Sequence, residues 1–97
     1  MFKPFIPCPE ARKILANGGQ LVDVRSPQEF AQSGLPGAVN LPLQSLQQTQ
    51  RELDPKRPVI VYCLSGARSA QAQMMLENMG FAEVHNLGGY QNYYHCD

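Results

Sequence analysis

The sequence has no hydrophobic run longer than Val59 to Leu64, far short of the ~20 apolar residues that a membrane-crossing helix needs. It has no net charge either, because 8 Lys+Arg balance 8 Asp+Glu. That excludes the global field that draws a protein to nucleic acid or to an anionic membrane, so any anion recognition must be local. Cysteine is scarce and odd in number: Cys8, Cys63 and Cys96 show no pairwise metal spacing. Neither a disulfide framework nor a zinc site is suggested, no metal or cofactor is expected, and each thiol is judged by its own surroundings. The opening segment is interrupted by Pro4, Pro7 and Pro9 where a signal peptide would need continuous apolar residues. A cytoplasmic protein with no nucleic-acid or membrane partner is expected.

What is present is enough for one core. A chain of 97 residues with 43% hydrophobic content falls within the size of one domain, and residues 1–97 are read as such. Pro9 suits the first turn of a helix that carries Ala11, Ile14 and Leu15 and stops at Asn17-Gly18-Gly19. Leu21-Val22-Asp23-Val24 is a strand, and Ser26-Pro27-Gln28-Glu29 is a capping box that starts a second helix. Ala38 to Leu41 reads as a short strand, and Leu43, Leu46 and Leu53 share one face of a Gln-rich helix. Val59-Ile60-Val61-Tyr62-Cys63 is the strongest strand, apolar enough to be covered on both faces. A helix to about Met79 follows, with Ala72, Met75, Leu76 and Met79 as its stripe and Gly80 as its stop. Glu83 to Leu87 is the last strand before Gly88-Gly89. Strands alternating with helices predict an α/β fold, an open parallel sheet flanked by helices on both faces.

Cys63 closes the most buried strand, directly before the small-residue loop Leu64-Ser65-Gly66-Ala67-Arg68-Ser69 that opens a helix. In open α/β sheets ligands bind at that edge. The order of residues surrounds a thiol with backbone N–H donors, points a helix N-terminus at it and sets a guanidinium alongside. The helix terminus contributes ~0.3 to 2 kcal/mol and each N–H given to a charged group ~1.5 to 3 kcal/mol. Since one pKa unit is ~1.36 kcal/mol, two well-aimed donors suffice to make Cys63 a thiolate nucleophile without a histidine base. The same ring would hold a terminal persulfide. The plainer alternative is an inert core thiol at a common strand-loop-helix turn.

With Asp23-Val24-Arg25, Glu29-Phe30, Leu35 to Pro42, the strand into Cys63, then Gly66, Arg68 and Ser69, and finally Leu87-Gly88-Gly89 in order, the chain resembles the rhodanese family. The resemblance runs from about Gln20 to Tyr94. It implies a rhodanese-like parallel sheet of about five strands and ping-pong transfer of sulfane sulfur. The donor would be a small anion, thiosulfate or a low-molecular-weight persulfide, and the acceptor a thiol, cyanide or a protein. By resemblance Cys63 is the catalytic sulfur carrier, Leu64, Ser65, Gly66, Ala67, Arg68 and Ser69 form the substrate-binding loop, and Arg68 favours anionic donors. Where relatives often read Gly-His-Ile-Pro-Gly-Ala this chain has Ser33-Gly34-Leu35-Pro36-Gly37-Ala38, and the Trp frequent after the Gly-Gly is replaced by nearby Tyr90 and Tyr94. Two other readings stay open: a phosphatase or arsenate reductase on the related fold, and a non-catalytic rhodanese-like binding module.

Asp23 and Arg25 are read as an architectural ion pair of the first crossover, with Glu29 within reach of Arg25. His85 and His95 have no partner at ligand or triad spacing. Cys8 is expected to pack at a helix start and Cys96 to be frayed and exposed. Tyr90, Tyr93 and Tyr94 are expected either to cover the pocket or to close the core.

Overall fold

The computed structural model describes residues 4–96. Helix α1 (Cys8–Ala16) leads to β1 (Gln20–Asp23), α2 (Pro27–Ser33) and β2 (Val39–Asn40). A short helical stretch centred on α3 (Leu46–Thr49) precedes β3 (Val59–Cys63), α4 (Ala67–Asn78) and β4 (Val84–Gly89), and a 3₁₀ turn (Tyr90–Tyr94) follows. All strand pairs are parallel, in the order β2-β1-β3-β4. The chain therefore turns to one side after β1 and to the other for β3, which makes the gap between the carboxyl ends of β1 and β3 the switch point of the sheet.

Both faces of the sheet are covered, as the apolar run in β3 requires. Alternate residues point to opposite faces of a strand. Val22, Val59, Val61 and Cys63 join Leu46, Ala72 and Leu76 in one cluster, while Leu21, Ile60 and Tyr62 join Ala11 and Leu87 in the other. Ile14, Leu15, Tyr90 and Tyr93 pack on the second cluster, so these two tyrosines close the core; Tyr94 stays exposed. In α4 the buried residues are Ser69, Ala70, Ala72, Gln73 and Leu76, and Met79 is left 37% exposed, outside the stripe expected for it.

The four strands read from the residues are the four observed. The sheet has four rather than about five strands among the described residues. Residues 4–7 run beside β4 with a single backbone bond, Ile6 N–H to Asn86 O at 2.8 Å. Pro4 and Pro7 have no N–H to extend such a ladder. The expected Gln-rich helix is also interrupted: 3₁₀ turns at Leu43–Ser45 and Gln50–Glu52 flank a four-residue α3. Ser45 Oγ donates to Pro42 O and Thr49 Oγ1 to Ser45 O, hydroxyl bonds that compete with regular helix geometry. No helix among the described residues is long and apolar enough to cross a membrane.

Two of the cysteines are joined. Cys8 at the start of α1 and Cys96 near the end of the described chain form a disulfide, with Cα atoms 5.0 Å apart. The expectation of three separate thiols is corrected, as is that of a frayed Cys96. α1 packs against the 3₁₀ turn at Tyr90–Tyr94, where Arg12 Nη2 donates to Tyr93 O at 2.6 Å and its guanidinium lies 4.0 Å from the Tyr93 ring centroid. That packing brings the two ends of the chain together. Cys63 is the one free cysteine.

Candidate functional site

The site begins with the bend at Ser26. Its side chain accepts from Glu29 N–H at 3.2 Å while the Glu29 carboxylate accepts from Ser26 N–H at 3.1 Å. The capping box read from the sequence is thus complete, and it fixes Glu29 at the carboxyl end of β1. Arg25, just before it, is buried and turned back onto Asp23, donating from Nε at 3.1 Å and Nη2 at 2.8 Å. This confirms the architectural pair, but Arg25 does not bond Glu29. Removing one partner of such a buried pair would leave an uncompensated charge at a cost of ~3 to 5 kcal/mol, which suits a role in holding the crossover.

Across the switch point, β3 delivers Cys63, 1% exposed. Gly66 N–H donates to its Sγ at 3.0 Å and Ser69 N–H at 3.4 Å, and Ser69 Oγ lies 3.4 Å away. The loop closes this way because Gly66 has φ +100°, a left-handed conformation that only glycine adopts freely. Burial pushes the Cys63 thiol up, and the Ser69 hydroxyl with the amides of Ser69, Gly66 and Ser65 outweighs it, so the net displacement is downward. These donors favour the thiolate over the thiol.

Of the loop residues named from the sequence, Gly66 and Ser69 make the close contacts to Cys63 Sγ, and the Ser65 amide adds to them. Leu64, Ser65 and Ala67 are exposed on the outer turn. Arg68 makes no hydrogen bond to the thiol, although it feels the Cys63 charge. Its guanidinium donates to Glu29, Nη1 to Oε1 at 2.8 Å and Nη2 to Oε2 at 3.1 Å. The bidentate bond to Arg68, with Ser26 N–H behind it, pulls the Glu29 carboxyl down to about 2. Beside this pair lies a groove of about 420 Å³ lined by Ser26, Pro27, Gln28, Pro42, Leu43 and Gln44, and Arg68 is the one loop residue that also lines it.

Three residues behind the loop were not assigned to the site from the sequence. Asn86, buried in β4, donates from Nδ2 to Gly66 O at 3.3 Å and accepts from Gly88 N–H at 2.8 Å. The Phe5 ring lies so close to Gly66 and Gly88 that a Cβ on either would meet ring carbons at 2.5 and 2.7 Å. Glu29 lies within reach of Arg25 in sequence, yet its partner is Arg68, 39 residues away. An Asn amid apolar strand residues was the available signal for the first; sequence offered none for the other two. His85 bonds Glu83 at 2.7 Å on the exposed surface, in line with a structural role.

The model of the Rhodanese-like domain matches residues 8–96 of the chain. A protein named Sulfurtransferase from Allochromatium vinosum is 44% identical over 69 residues, which is 71% of this chain and 64% of that protein. Thiosulfate sulfurtransferase GlpE of Pseudomonas syringae is 36% identical over 84 residues, 87% of this chain and 79% of the relative. The chain spans 56 and 64% of the length of two of the curated relatives it matches. Among solved structures, the human single-domain sulfurtransferase TSTD1 superposes with a TM-score of 0.82 at 28% identity, covering 98% of each chain.

Proposed function

The chain belongs to the rhodanese-like domain family, and from that premise we propose that it is a sulfurtransferase carrying a sulfane sulfur on Cys63. The Cys63 thiolate attacks the outer sulfur of a donor such as thiosulfate. A new S–S bond forms as the bond to the central sulfur breaks, and that electron pair leaves on sulfite. Cyanide or a thiolate acceptor then attacks the terminal sulfur, and the bonding pair returns to Cys63 as a thiolate. With cyanide the product is thiocyanate. The reading treats residues 1–97 as one domain and the loop from Leu64 to Ser69 as the substrate-binding element.

The observation that carries this reading is the convergence of Gly66 N–H, Ser69 N–H and Ser69 Oγ on Cys63 Sγ. Such donors stabilise the thiolate as attacking and leaving group alike, and a preorganised set of them is worth far more than the same bonds in water. Phosphoryl chemistry is disfavoured by loop size. Four residues separate Cys63 from Arg68, whereas phosphatases that resemble this fold place five between the matching pair. Each residue adds at most ~3.3 to 3.6 Å of chain, so the shorter ring fits one sulfur better than a phosphoryl group with its three equatorial oxygens. The loop also offers no Asp or Glu to protonate a leaving alcohol.

The test is thiocyanate formation from thiosulfate and cyanide, with intact-mass detection of one added sulfur on Cys63 before cyanide is supplied. Cys63-dependent release of phosphate from an activated aryl phosphate, without thiocyanate, would overturn the reading.

A further inference from the structure

The groove beside Arg68 has no charged lining residue except that arginine; the rest is Val24, Ser26, Pro27, Gln28, Pro42, Leu43 and Gln44. Its volume of about 420 Å³ lies in the ~300 to 1,000 Å³ range of sites that hold small organic molecules. Leu43 and the two prolines give it apolar walls, and the amides of Gln28 and Gln44 give it neutral hydrogen-bonding groups. An inorganic sulfur oxyanion needs neither. At the same time, the positive charge that would select a dianion is already occupied, because both Nη atoms of Arg68 are engaged by the Glu29 carboxylate. That carboxylate is held in place from behind by Ser26 N–H and Ser26 Oγ, each 3.1 Å from Oε1.

Resting on the sulfurtransferase reading, we propose that Glu29 is the specificity-determining residue of the Cys63 site. Paired with Arg68, it disfavours small dianionic donors and leaves the mouth suited to organic sulfane donors of single negative charge, whose carbon body lies in the groove edged by Gln28, Pro42, Leu43 and Gln44. Glu29 acts through charge and through Arg68, and takes no part in bond making.

The chemistry is the same for an organic thiosulfonate as for thiosulfate. The Cys63 thiolate bonds to the outer sulfur, the bond from that sulfur to the sulfonyl sulfur breaks, and its electron pair leaves on the sulfinate. What differs is charge. The energy between a fixed unit charge and a donor scales with the donor's charge. Removing the Glu29 charge therefore multiplies the thiosulfate effect: a ~3-fold fall in KM for a monoanion corresponds to a ~9-fold fall for the dianion.

The experiment compares thiosulfate with benzenethiosulfonate at constant cyanide, for the unmodified protein, Glu29→Gln and Glu29→Asp. Gln keeps an amide oxygen for the Ser26 cap while removing the charge; Asp keeps the charge on a shorter stem. The expected result is a higher kcat/KM for benzenethiosulfonate than for thiosulfate in the unmodified protein. In Glu29→Gln the preference shifts toward thiosulfate through KM, with kcat within ~2-fold, and Glu29→Asp keeps the original donor ratio. An unchanged ratio in Glu29→Gln, an equal change in both variants, or an effect confined to kcat would overturn the proposal while leaving sulfur transfer intact. If neither donor places sulfur on Cys63 in the unmodified protein, the sulfurtransferase reading fails and this proposal fails with it. Thermal melting of each variant identifies a folding defect, and a melt that tracks the kinetic change also counts against a role in specificity.

Discussion

Ser69 contributes two separable donors to Cys63, and Ser69→Ala removes only one of them. The substitution deletes the hydroxyl 3.4 Å from Sγ and leaves the backbone N–H, also at 3.4 Å, in place. Burial already works against the thiolate, and the Ser69 hydroxyl heads the groups that outweigh it. A hydrogen bond to a charged group is worth ~1.5 to 3 kcal/mol, and sulfur at this distance calls for the lower end of that range. At ~1.36 kcal/mol per unit, the Cys63 pKa should rise by about one unit. Below the pKa the thiolate fraction falls ~10-fold for each unit of rise, so alkylation at fixed pH slows accordingly. The sign carries over to stability. A thiol with a lowered pKa stabilises the fold above its unfolded value, and that contribution is lost as pH falls through the folded value; the variant should keep less of it at alkaline pH. The assay is the pH dependence of iodoacetamide alkylation of Cys63, the one free cysteine. An unmoved or lowered midpoint would refute the assignment of the hydroxyl as a donor to the thiolate.

Cys63→Ser should abolish thiocyanate formation while leaving the fold intact, since Ser is nearly isosteric and cannot hold a persulfide; more than trace turnover would move the chemistry elsewhere. Arg68→Ala should raise KM for thiosulfate more than it lowers kcat, because it removes a cation from the mouth and leaves the Glu29 carboxylate unpaired; equal falls in kcat and kcat/KM would place Arg68 in the transition state instead. Cys96→Ser should leave turnover nearly unchanged yet destabilise the fold. Opening a cross-link of sequence separation 88 costs up to ~4.6 kcal/mol in the chain-entropy model, read as a drop in Tm. Thiol counting of the denatured, unreduced protein should find a single reactive cysteine, and three would disprove the cross-link.

The parts of the site that are contiguous in sequence were legible. Val59 to Cys63 is buried throughout, as a strand covered on both faces must be, and the Ser26–Glu29 capping box appears with both reciprocal bonds. Each signal is local: hydrophobic continuity in one case, a three-residue spacing in the other. Helix α3 shows the limit of local reading. Its leucine spacing was helical, and Leu46 and Leu53 are indeed buried, but periodicity does not weigh the Ser45 and Thr49 hydroxyls that compete for the same carbonyls as the backbone.

What escaped is long-range. Cys8 and Cys96 were judged each by its neighbours in sequence, and no neighbour announces a partner 88 positions away; only the packing of α1 against the Tyr90–Tyr94 turn joins them. The same holds for the back of the Cys63 loop. Gly66 donates to the thiol, its carbonyl is held by Asn86 of β4, and its open Cα face is filled by Phe5 of the opening segment. That segment is in turn tied to Asn86 through Ile6 N–H. One glycine is thus fixed from the strand before it, the last strand of the sheet and the beginning of the chain. A loop motif states which residue supplies the donor; the aim of that donor belongs to contacts the motif does not contain. Conformational freedom at Gly66 makes the turn possible, and the surrounding packing, not the loop sequence, selects the single geometry in which its N–H meets Cys63 Sγ.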